Sequence, residues 1–380
     1  MKKTISLLML GWILITSLSW CSNFSTSTES KWPEAVKIGV IAPLSGPWAS
    51  VGEDMIAIYK MAVDEFNNTN KVQIKLIIED WKCSGKDATS ATQKLINIDK
   101  VDLIFWWSCS SETIASAQIT QPLDILNFSA TASSPLVSEI GDYVFRFYND
   151  LDDAKFLTQY LISKWISNVW IIYENSDYAV AYTNTIKNVF PSEFIFEKKY
   201  NSDEKDFDLF IKSIEKDFEK IEKLIIIPQT DINFINIMKS LNRSSAKYLS
   251  SNIIVSSIAW TETTFKEIPN LIEWVSSVML PDYWVLWEKS ENFIKNLNDN
   301  YKIKTNELYA VFFKESIDLI LRAIKNWNYD SKSIRNYIIS FWPNKQIDGY
   351  RWKYYFTWSD TVGLKMIIQQ IQSWALATIE

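Results

Sequence analysis

The chain has 380 residues, of which 47% are apolar and 22% are charged, a composition typical of a globular protein with room for two domains. Its net charge of −6, with no basic cluster, argues against nucleic acid as a partner. There is no histidine, which excludes a Ser-His-Asp triad, a Cys-His nucleophile pair and a His-ligated zinc site. An enzyme that uses a Ser-Lys pair or carboxylates remains possible.

Glycine and tryptophan occur at unusual frequencies. Only 8 of the 380 residues are glycine and 18 are tryptophan, whereas glycine alone usually makes up about 7% of a chain. The two types together come close to that usual glycine share. Arginine is scarce beside lysine, which indicates an A/T-rich gene. We hypothesise that many of the tryptophans are UGA codons that the organism reads as glycine; the alternative is a genuinely tryptophan-rich protein.

The first 20 residues form a predicted secretion signal. Two lysines precede an apolar run over residues 5–18, which is short for a membrane span. The following Leu-Ser-Trp-Cys resembles the bacterial lipoprotein signal Leu-Ser-Gly-Cys, with Trp20 in place of a small residue. On this interpretation Cys21 carries the lipid and residues 21–35 form a polar tether. The alternative is a signal peptide with an incidental cysteine.

Strand and helix patterns alternate after the tether, and the alternation restarts near Leu151. Repeated βα units of this length predict an α/β fold with two similar lobes, each a parallel-rich sheet with helices on both faces. Ligands of open α/β sheets bind beyond the carboxyl ends of the strands. We therefore expect the site in a cleft between the lobes.

One stretch combines the features of a binding loop. A buried strand is predicted over Val101–Phe105, and a helix is predicted to open at Ser110 after a tight loop that holds Trp106 and Trp107. A second strand then leads into the Ser/Thr-rich turn SATAS over residues 129–133. A helix that begins in Cys-Ser-Ser-Glu-Thr offers free backbone N–H groups, a favourable dipole and hydroxyls, which together suit a carboxylate.

Several motifs, in order and spacing, resemble one family, the branched-chain amino-acid (leucine/isoleucine/valine) type of extracytoplasmic solute-binding proteins of ABC importers. The likeness covers residues 36–380. It implies lobes over residues 36–150 plus 281–362 and over 151–280 plus 363–380, joined by a multi-strand hinge. The motifs are KIGVIAPLSGPWASVGED, EDWKCSGKDATSATQKLI, CSSET, SATAS, YENSDYAVAYTNTIK and DGYRWKYYFTWSD.

The resemblance also bears on the tryptophans. At nine of them the family pattern has glycine or another very small residue, at turns, caps and tight contacts where positive φ or a missing Cβ is needed. These nine are Trp48, Trp81, Trp106, Trp107, Trp274, Trp327, Trp352, Trp358 and Trp374.

The resemblance implies a set of ligand-binding residues. Ser110 would donate its hydroxyl and N–H to an α-carboxylate, and Thr131 would add an N–H and a hydroxyl. The carbonyl of Ser129 would accept from an α-ammonium, and Tyr178 would close over the ligand from the second lobe. Without the family context, these residues would be ordinary helix caps, turn residues and a half-exposed aromatic.

Two positions depart from the family pattern. Val51 replaces an aromatic that flanks the side-chain pocket. The second-lobe glutamate that neutralises the ligand ammonium falls near Ile258 or Ala259, and a buried ammonium without a carboxylate is costly. Asp231 is the nearest substitute by position, and Glu262 is a weaker one.

The resemblance further implies a disulfide between Cys83 and Cys109, which an extracytoplasmic location permits. The alternative is a pair of free buried thiols. Taken together, the sequence predicts a lipid-anchored, monomeric, non-enzymatic protein without metal or cofactor. It would bind a small polar solute, a branched-chain or other amino acid first of all, and deliver it to an ABC permease and ATPase. The alternative is a sensor lobe pair for an amide, urea-like or short carboxylate solute that feeds a signalling partner.

Overall fold

The structure is a computed structural model that describes the chain between residues 33 and 379 with short gaps. Its described ranges are 33–45, 48–81, 85–106, 109–148, 150–244, 250–279, 288–305, 307–350, 352–358, 360–362, 366–373 and 375–379. The strands in these ranges are β1 (Ala35–Ala42), β2 (Gln73–Asp80), β3 (Leu103–Trp106), β4 (Leu126–Ser129), β5 (Val144–Arg146), β6 (Val169–Glu174), β7 (Ile195–Tyr200), β8 (Lys223–Ile227), β9 (Ile253–Ser256), β10 (Ser276–Met279), β11 (Ile347–Asp348), β12 (Lys353–Thr357), β13 (Asp360–Val362), β14 (Ile367–Gln372) and β15 (Ala375–Thr378).

The helices of the same ranges alternate with the strands up to β9, whereas three successive helices and then five strands follow β10. They are α1 (Ala49–Thr69), α2 (Gly85–Lys94), α3 (Ser110–Thr120), α4 (Leu136–Glu139), α5 (Asp150–Ser163), α6 (Asp177–Val189), α7 (Phe207–Lys212), α8 (Asp231–Arg243), α9 (Glu262–Glu267), α10 (Pro269–Ile272), α11 (Glu288–Tyr301), α12 (Glu307–Lys325) and α13 (Ser331–Ile338). One π turn and five 3-10 turns complete them: Leu95–Asp99, Gln121–Leu123, Ser192–Phe194, Glu215–Lys220, Ser250–Asn252 and Ser257–Ala259.

Several helices begin where a Ser, Thr or Asp side chain accepts from a free backbone N–H of the first turn, as helix N-termini require. Ser176 caps α6, Thr230 caps α8 and Thr261 caps α9 in this way. Asp330 caps α13 through a reciprocal capping box with Ser333. The local sequence therefore sets where these helices start.

The first sheet has eight strands in the order β2-β1-β3-β4-β5-β13-β12-β11. The strands from β2 to β13 are parallel, and the hairpins to β12 and β11 add two antiparallel strands at one edge. Helix α1 packs against α12, and α2 packs against α3. This sheet combines strands from residues 35–146 with strands from residues 347–362.

The second sheet repeats the arrangement with seven strands in the order β7-β6-β8-β9-β10-β14-β15. Its first five strands are parallel, and β14 and β15 add antiparallel strands at the edge. The strands come from residues 169–279 and 367–378, so the chain passes between the two sheets three times. The predicted fold class, two similar lobes of parallel-rich sheet joined by a multi-strand hinge, is confirmed.

An aromatic cluster around Phe128 on β4 forms the core of the first sheet. The Phe128 ring is fully buried, and its centroid lies 5.8 Å from that of Phe105, 5.5 Å from that of Phe147 and 6.0 Å from that of Phe356. Phe356 belongs to β12, which is more than 200 residues away along the chain. The cluster therefore joins the late strands to the early ones.

The structure corrects the placement of Trp106. We expected it in the loop after the strand, but it is the last residue of β3 and is 1% exposed. Its ring centroid lies 6.5 Å from that of Trp81, which is also buried. Trp107 and Trp374 lie outside the described residues. Within the described ranges, no helix has both the length and the apolar character needed to cross a membrane.

We predict that Phe128→Ala lowers the free energy of unfolding by about 3–5 kcal/mol, because it removes a fully buried ring from a packed cluster. The matched control is Phe194→Ala, which truncates a ring that is 38% exposed and should cost no more than about 1 kcal/mol. Urea unfolding of both variants measures the difference. Equal losses in the two variants would contradict the role of the cluster.

Candidate functional site

The strand order of each sheet determines where a ligand can bind. In the first sheet the order reverses between β1 and β3, and in the second sheet it reverses between β6 and β8. Loops that leave neighbouring parallel strands at such a point run in opposite directions and leave a crevice beyond the carboxyl ends of the strands. The crevice of the first sheet lies next to the start of α3, and that of the second lies next to the starts of α6 and α8.

Ser110 is the first residue of α3 and is 6% exposed. Its Oγ accepts hydrogen bonds from the backbone N–H of Ser133 at 3.2 Å and of Ser134 at 3.0 Å. A hydroxyl that accepts two hydrogen bonds still has its own proton to donate. The contacts therefore hold the Ser110 side chain in place and orient its O–H as a donor, which suits the predicted carboxylate.

Hydrogen bonds of Ser129 stabilise the SATAS turn. The Oγ of Ser129 accepts from the N–H of Ala132 at 3.0 Å, and the Ser129 carbonyl accepts from the N–H of Phe147 at 3.3 Å. A carbonyl oxygen has a second lone pair for another donor. Thr131 is 6% exposed within the turn. The bonds from Ser133 and Ser134 to Ser110 then attach the turn to the start of α3.

Arg146 is the last residue of β5, has no solvent exposure and hydrogen-bonds to the SATAS turn. Its Nε donates to Asp360 Oδ1 at 2.5 Å, and its Nη2 donates to Ser138 Oγ at 2.5 Å. Its Nη1 donates to the carbonyls of Ser134 at 2.5 Å and Ala132 at 3.3 Å. We did not single out this residue in the sequence. A lone arginine in the apolar strand segment YVFRF was the available signal, because a buried charge has to be paired.

The second sheet also has a buried charged side chain at the carboxyl end of a strand. Glu174 ends β6 and is 2% exposed. Its Oε2 accepts from the N–H of Gln229 at 3.0 Å, from Nδ2 of Asn233 at 3.0 Å and from the hydroxyl of Tyr200 at 3.4 Å. Burial and the nearby carboxylate raise the pKa of Tyr200, so its hydroxyl remains a donor. Glu174 thus connects the ends of β6, β7 and β8.

Asp231 is the first residue of α8 and lies in the chain between Gln229 and Asn233, which both bond to Glu174. Its Oδ2 accepts from the Thr261 hydroxyl at 2.6 Å, and its Oδ1 accepts from the N–H of Ile232 at 2.8 Å. The carboxylate therefore lies between the loops after β8 and β9. Ala259 is fully buried in the apolar core of this lobe. The side chains of Ile258 and Glu262 lie outside what the structure describes.

Tyr178 is the second residue of α6 and is 4% exposed, so it is buried rather than half-exposed. Its ring packs against that of Tyr182 at a centroid distance of 6.0 Å in a T-shaped arrangement. Helix α6 contacts α3 of the other sheet. The two helices that begin with Ser110 and with the Asp177-Tyr178 pair are therefore in contact.

The other predicted residues are placed only in part. Val51 lies in the first turn of α1 and packs against the core. Cys109 precedes α3 in extended backbone, whereas Cys83 and Cys21 lie outside the described residues, so the disulfide and the lipidation stay predictions. In the part of the chain that the structure describes, no group of three Cys, Asp or Glu residues could hold a metal ion.

The hydrogen-bonding groups at the carboxyl ends of the two sheets suit the binding of a small polar ligand. The first sheet offers a hydroxyl donor and a carbonyl acceptor, which match a carboxylate and an ammonium. The second sheet offers the carboxylate of Asp231. The described bonds of the Ser110 hydroxyl are to backbone N–H groups, and none is to a base that could activate it as a nucleophile.

We predict that Arg146→Met lowers the free energy of unfolding by about 3–5 kcal/mol, because it leaves the carboxylate of Asp360 and two carbonyls without their buried partner. The control is Arg243→Met, which breaks an exposed pair with Asp208 and should cost about 0–1 kcal/mol. Thermal and urea unfolding of both variants measure the effect. A loss for Arg146→Met no larger than that of the control would rule out this role.

Comparisons with known proteins agree with this geometry. A family model described as periplasmic binding protein matches residues 35–335. The leucine-, isoleucine-, valine-, threonine- and alanine-binding protein of Pseudomonas aeruginosa is 25% identical over 197 residues, which are 48% of this chain and 51% of that protein. The chain thus spans about half the length of the curated relatives it matches.

Two solved structures share the fold. A leucine-binding protein from Thermotoga maritima has a TM-score of 0.79 at 16% identity, over 91% of this chain and 98% of that one. A solute-binding protein of an ABC transporter from Rhodopseudomonas palustris, in complex with 3,4-dihydroxybenzoic acid, has a TM-score of 0.77 at 16% identity, over 91% and 96%. The resemblance read from the sequence is confirmed, and the chain belongs to the periplasmic binding protein family.

Proposed function

We propose that this protein binds a small solute between its two lobes and delivers it to an ABC importer, without catalysing a reaction. The observation that carries the proposal is the pair of prearranged loops at the carboxyl ends of the two sheets. Ser110 is held as a hydroxyl donor on one side, and Asp231 is held as an acceptor on the other. The three passages of the chain between the sheets supply a hinge about which the lobes close.

An α-amino acid is the ligand that these groups fit best. The start of α3 would bind the α-carboxylate through the Ser110 hydroxyl and free N–H groups, with Thr131 as a further donor. The Ser129 carbonyl and the Asp231 carboxylate would bind the α-ammonium. Tyr178, at the start of α6, would cover the ligand in the closed state. Similarity to an amino-acid-binding protein of Pseudomonas aeruginosa supports this ligand class.

The remaining sequence predictions belong to the same proposal. The protein would be extracytoplasmic, with its signal removed before Cys21, a lipid on that cysteine and residues 21–35 as a tether. Cys83 and Cys109 would form a disulfide that holds the start of α3. The lobes would cover residues 36–150 plus 281–362 and 151–280 plus 363–380. The partners would be an ABC permease and its ATPase, and the protein would act as a monomer.

A thermal-shift panel of amino acids, amides and short carboxylates tests the ligand class. A ligand that binds only the folded protein stabilises it by RT ln(1 + [L]/Kd), so about 100 Kd of ligand should add roughly 2.7 kcal/mol. We expect a rise in melting temperature with one or more α-amino acids. No rise with any α-amino acid would reject the amino-acid version.

The Asp231→Asn variant tests the second-lobe contact. We expect it to weaken amino-acid binding by about 2 kcal/mol, roughly 30-fold, because the ammonium loses its charged partner. The control is Asp330→Asn, which makes the same change at the start of α13. The neighbouring Ser331 bonds to Asp102 and Leu126 at the amino ends of β3 and β4, opposite the carboxyl ends where the proposed site lies. Isothermal titration of both variants measures the affinities. An unchanged affinity in Asp231→Asn would remove Asp231 from the site.

A carboxylate without an ammonium is the second candidate ligand. The observation in its favour is that Asp231 already accepts from Thr261 and Ile232, while the family glutamate is missing. The solute-binding protein from Rhodopseudomonas palustris, which shares the fold, was solved in complex with 3,4-dihydroxybenzoic acid. In this case simple carboxylates would stabilise the protein, and Asp231→Asn would leave their affinity unchanged or raise it, because a nearby negative charge is removed.

A further inference from the structure

Half of the described non-glycine residues with left-handed backbone are tryptophan. The eight positions with positive φ are Lys100, Asp124, Trp165, Trp274, Lys302, Trp327, Trp358 and Ser373. Tryptophan makes up only 18 of the 380 residues, so four of eight is far above its share. For a bulky side chain, positive φ brings Cβ too close to the neighbouring carbonyl and is a genuine outlier.

Two of these tryptophans end helices in the same way. After α5, the N–H of Trp165 donates to the carbonyl of Ile162 at 3.0 Å, and the N–H of Ile166 donates to the carbonyl of Leu161 at 3.0 Å. This pair of bonds, with φ of 59° at Trp165, is a Schellman motif. Its left-handed position is normally glycine, because glycine has no Cβ to clash.

The end of α12 repeats the motif. The N–H of Trp327 donates to the carbonyl of Ile324 at 3.0 Å, and the N–H of Asn328 donates to the carbonyl of Ala323 at 3.2 Å. The φ of Trp327 is 70°. Two helices in different lobes therefore place tryptophan at the glycine position of one backbone motif.

The other two tryptophans lie in tight connections between strands or between a helix and a strand. Trp358, with φ of 56°, follows β12 in the two-residue loop before β13, where hairpins with positive φ favour glycine. Trp274, with φ of 71°, lies between α10 and β10 and donates its N–H to the carbonyl of Ile371 at 2.8 Å. All four tryptophans are exposed, from 48% for Trp274 to 90% for Trp165, so deep burial does not compensate for the backbone conformation.

We infer that the native chain has glycine at positions 165, 274, 327 and 358, because UGA codons there are read as glycine. The inference does not depend on the ligand or on transport. It rests on backbone geometry, and the low glycine content supports it independently. Position 165 was not among those that the family pattern singled out, so the structure extends the set.

Two other tryptophans pack in the apolar core with ordinary backbone conformation. Trp170 lies in β6 and is 5% exposed, and its ring stacks on that of Phe196 at a centroid distance of 6.3 Å. Trp260 packs against the rings of Phe234 and Phe265 in the core of the second lobe. Neither has positive φ. We expect these two positions to be tryptophan in the native protein as well.

Peptide mass spectrometry of the protein isolated from its own cells tests the inference. We expect the peptides that contain positions 165, 274, 327 and 358 to be lighter by the mass difference between tryptophan and glycine. The peptides with positions 170 and 260 serve as controls and should contain tryptophan. Tryptophan at positions 165, 274, 327 and 358 in the native peptides would overturn the inference.

A stability comparison of recombinant full-length chains tests the geometric basis. The double variant Trp165→Gly/Trp327→Gly should melt about 4 °C above the chain as written, because both residues leave a disfavoured backbone conformation. The matched double alanine variant removes the same indoles but keeps Cβ, so it should gain much less. Trp170→Gly should melt lower. An alanine variant as stable as the glycine variant would show that the backbone conformation is not the cause.

Discussion

A buried charge has to be compensated within the protein, and each of the two sheets has one at the carboxyl end of its strands. Arg146 has no exposed surface and binds the carboxylate of Asp360 together with carbonyls of the turn after β4. Glu174 is equally buried and accepts from the loops and strands around it. Removing a buried charge's partners would leave it unpaired at a cost of several kcal/mol. The loops next to the proposed site are therefore ordered before any ligand arrives.

This ordering matters for binding, because the entropy of fixing loops is already lost in the free protein. The turn that carries Ser129 and Thr131 is attached both to Ser110 and to Arg146. Binding would then require the lobes to close about the hinge rather than a rearrangement within each lobe. The family to which the chain belongs and the repeated strand order fit a mechanism of this kind.

The tryptophans relate the low glycine content of the chain to its left-handed backbone positions. A glycine share far below the usual one leaves the left-handed positions of turns and helix ends to other residues. Among the described glycines, only Gly141 has positive φ. The fold still needs such conformations at helix ends and in hairpins, and tryptophan occupies them at four places. An unusual composition and an unusual set of dihedral angles thus have one explanation.

The sequence by itself determined most of the secondary structure and the family. The predicted start of α3 at Ser110 is observed, because a strand pattern, a polar break and capping residues are local signals. The family motifs also placed Ser110, Ser129, Thr131, Tyr178 and Asp231 as candidates, and their roles remain predictions. The one clear local error was Trp106, which we expected in a loop but which extends β3. An indole packs well in a buried strand, whereas a tight loop has little room for it.

Only the tertiary structure decided how these parts are arranged. The strand order and its reversal between β1 and β3 depend on pairings between residues far apart, which no local pattern encodes. The same holds for Arg146 and Asp360, which are 214 residues apart, and for Asp231 and Thr261, which belong to different helix starts. Short-range preferences decide which residues form helices and strands. Long-range packing and the pairing of buried charges decide which of them meet at the site.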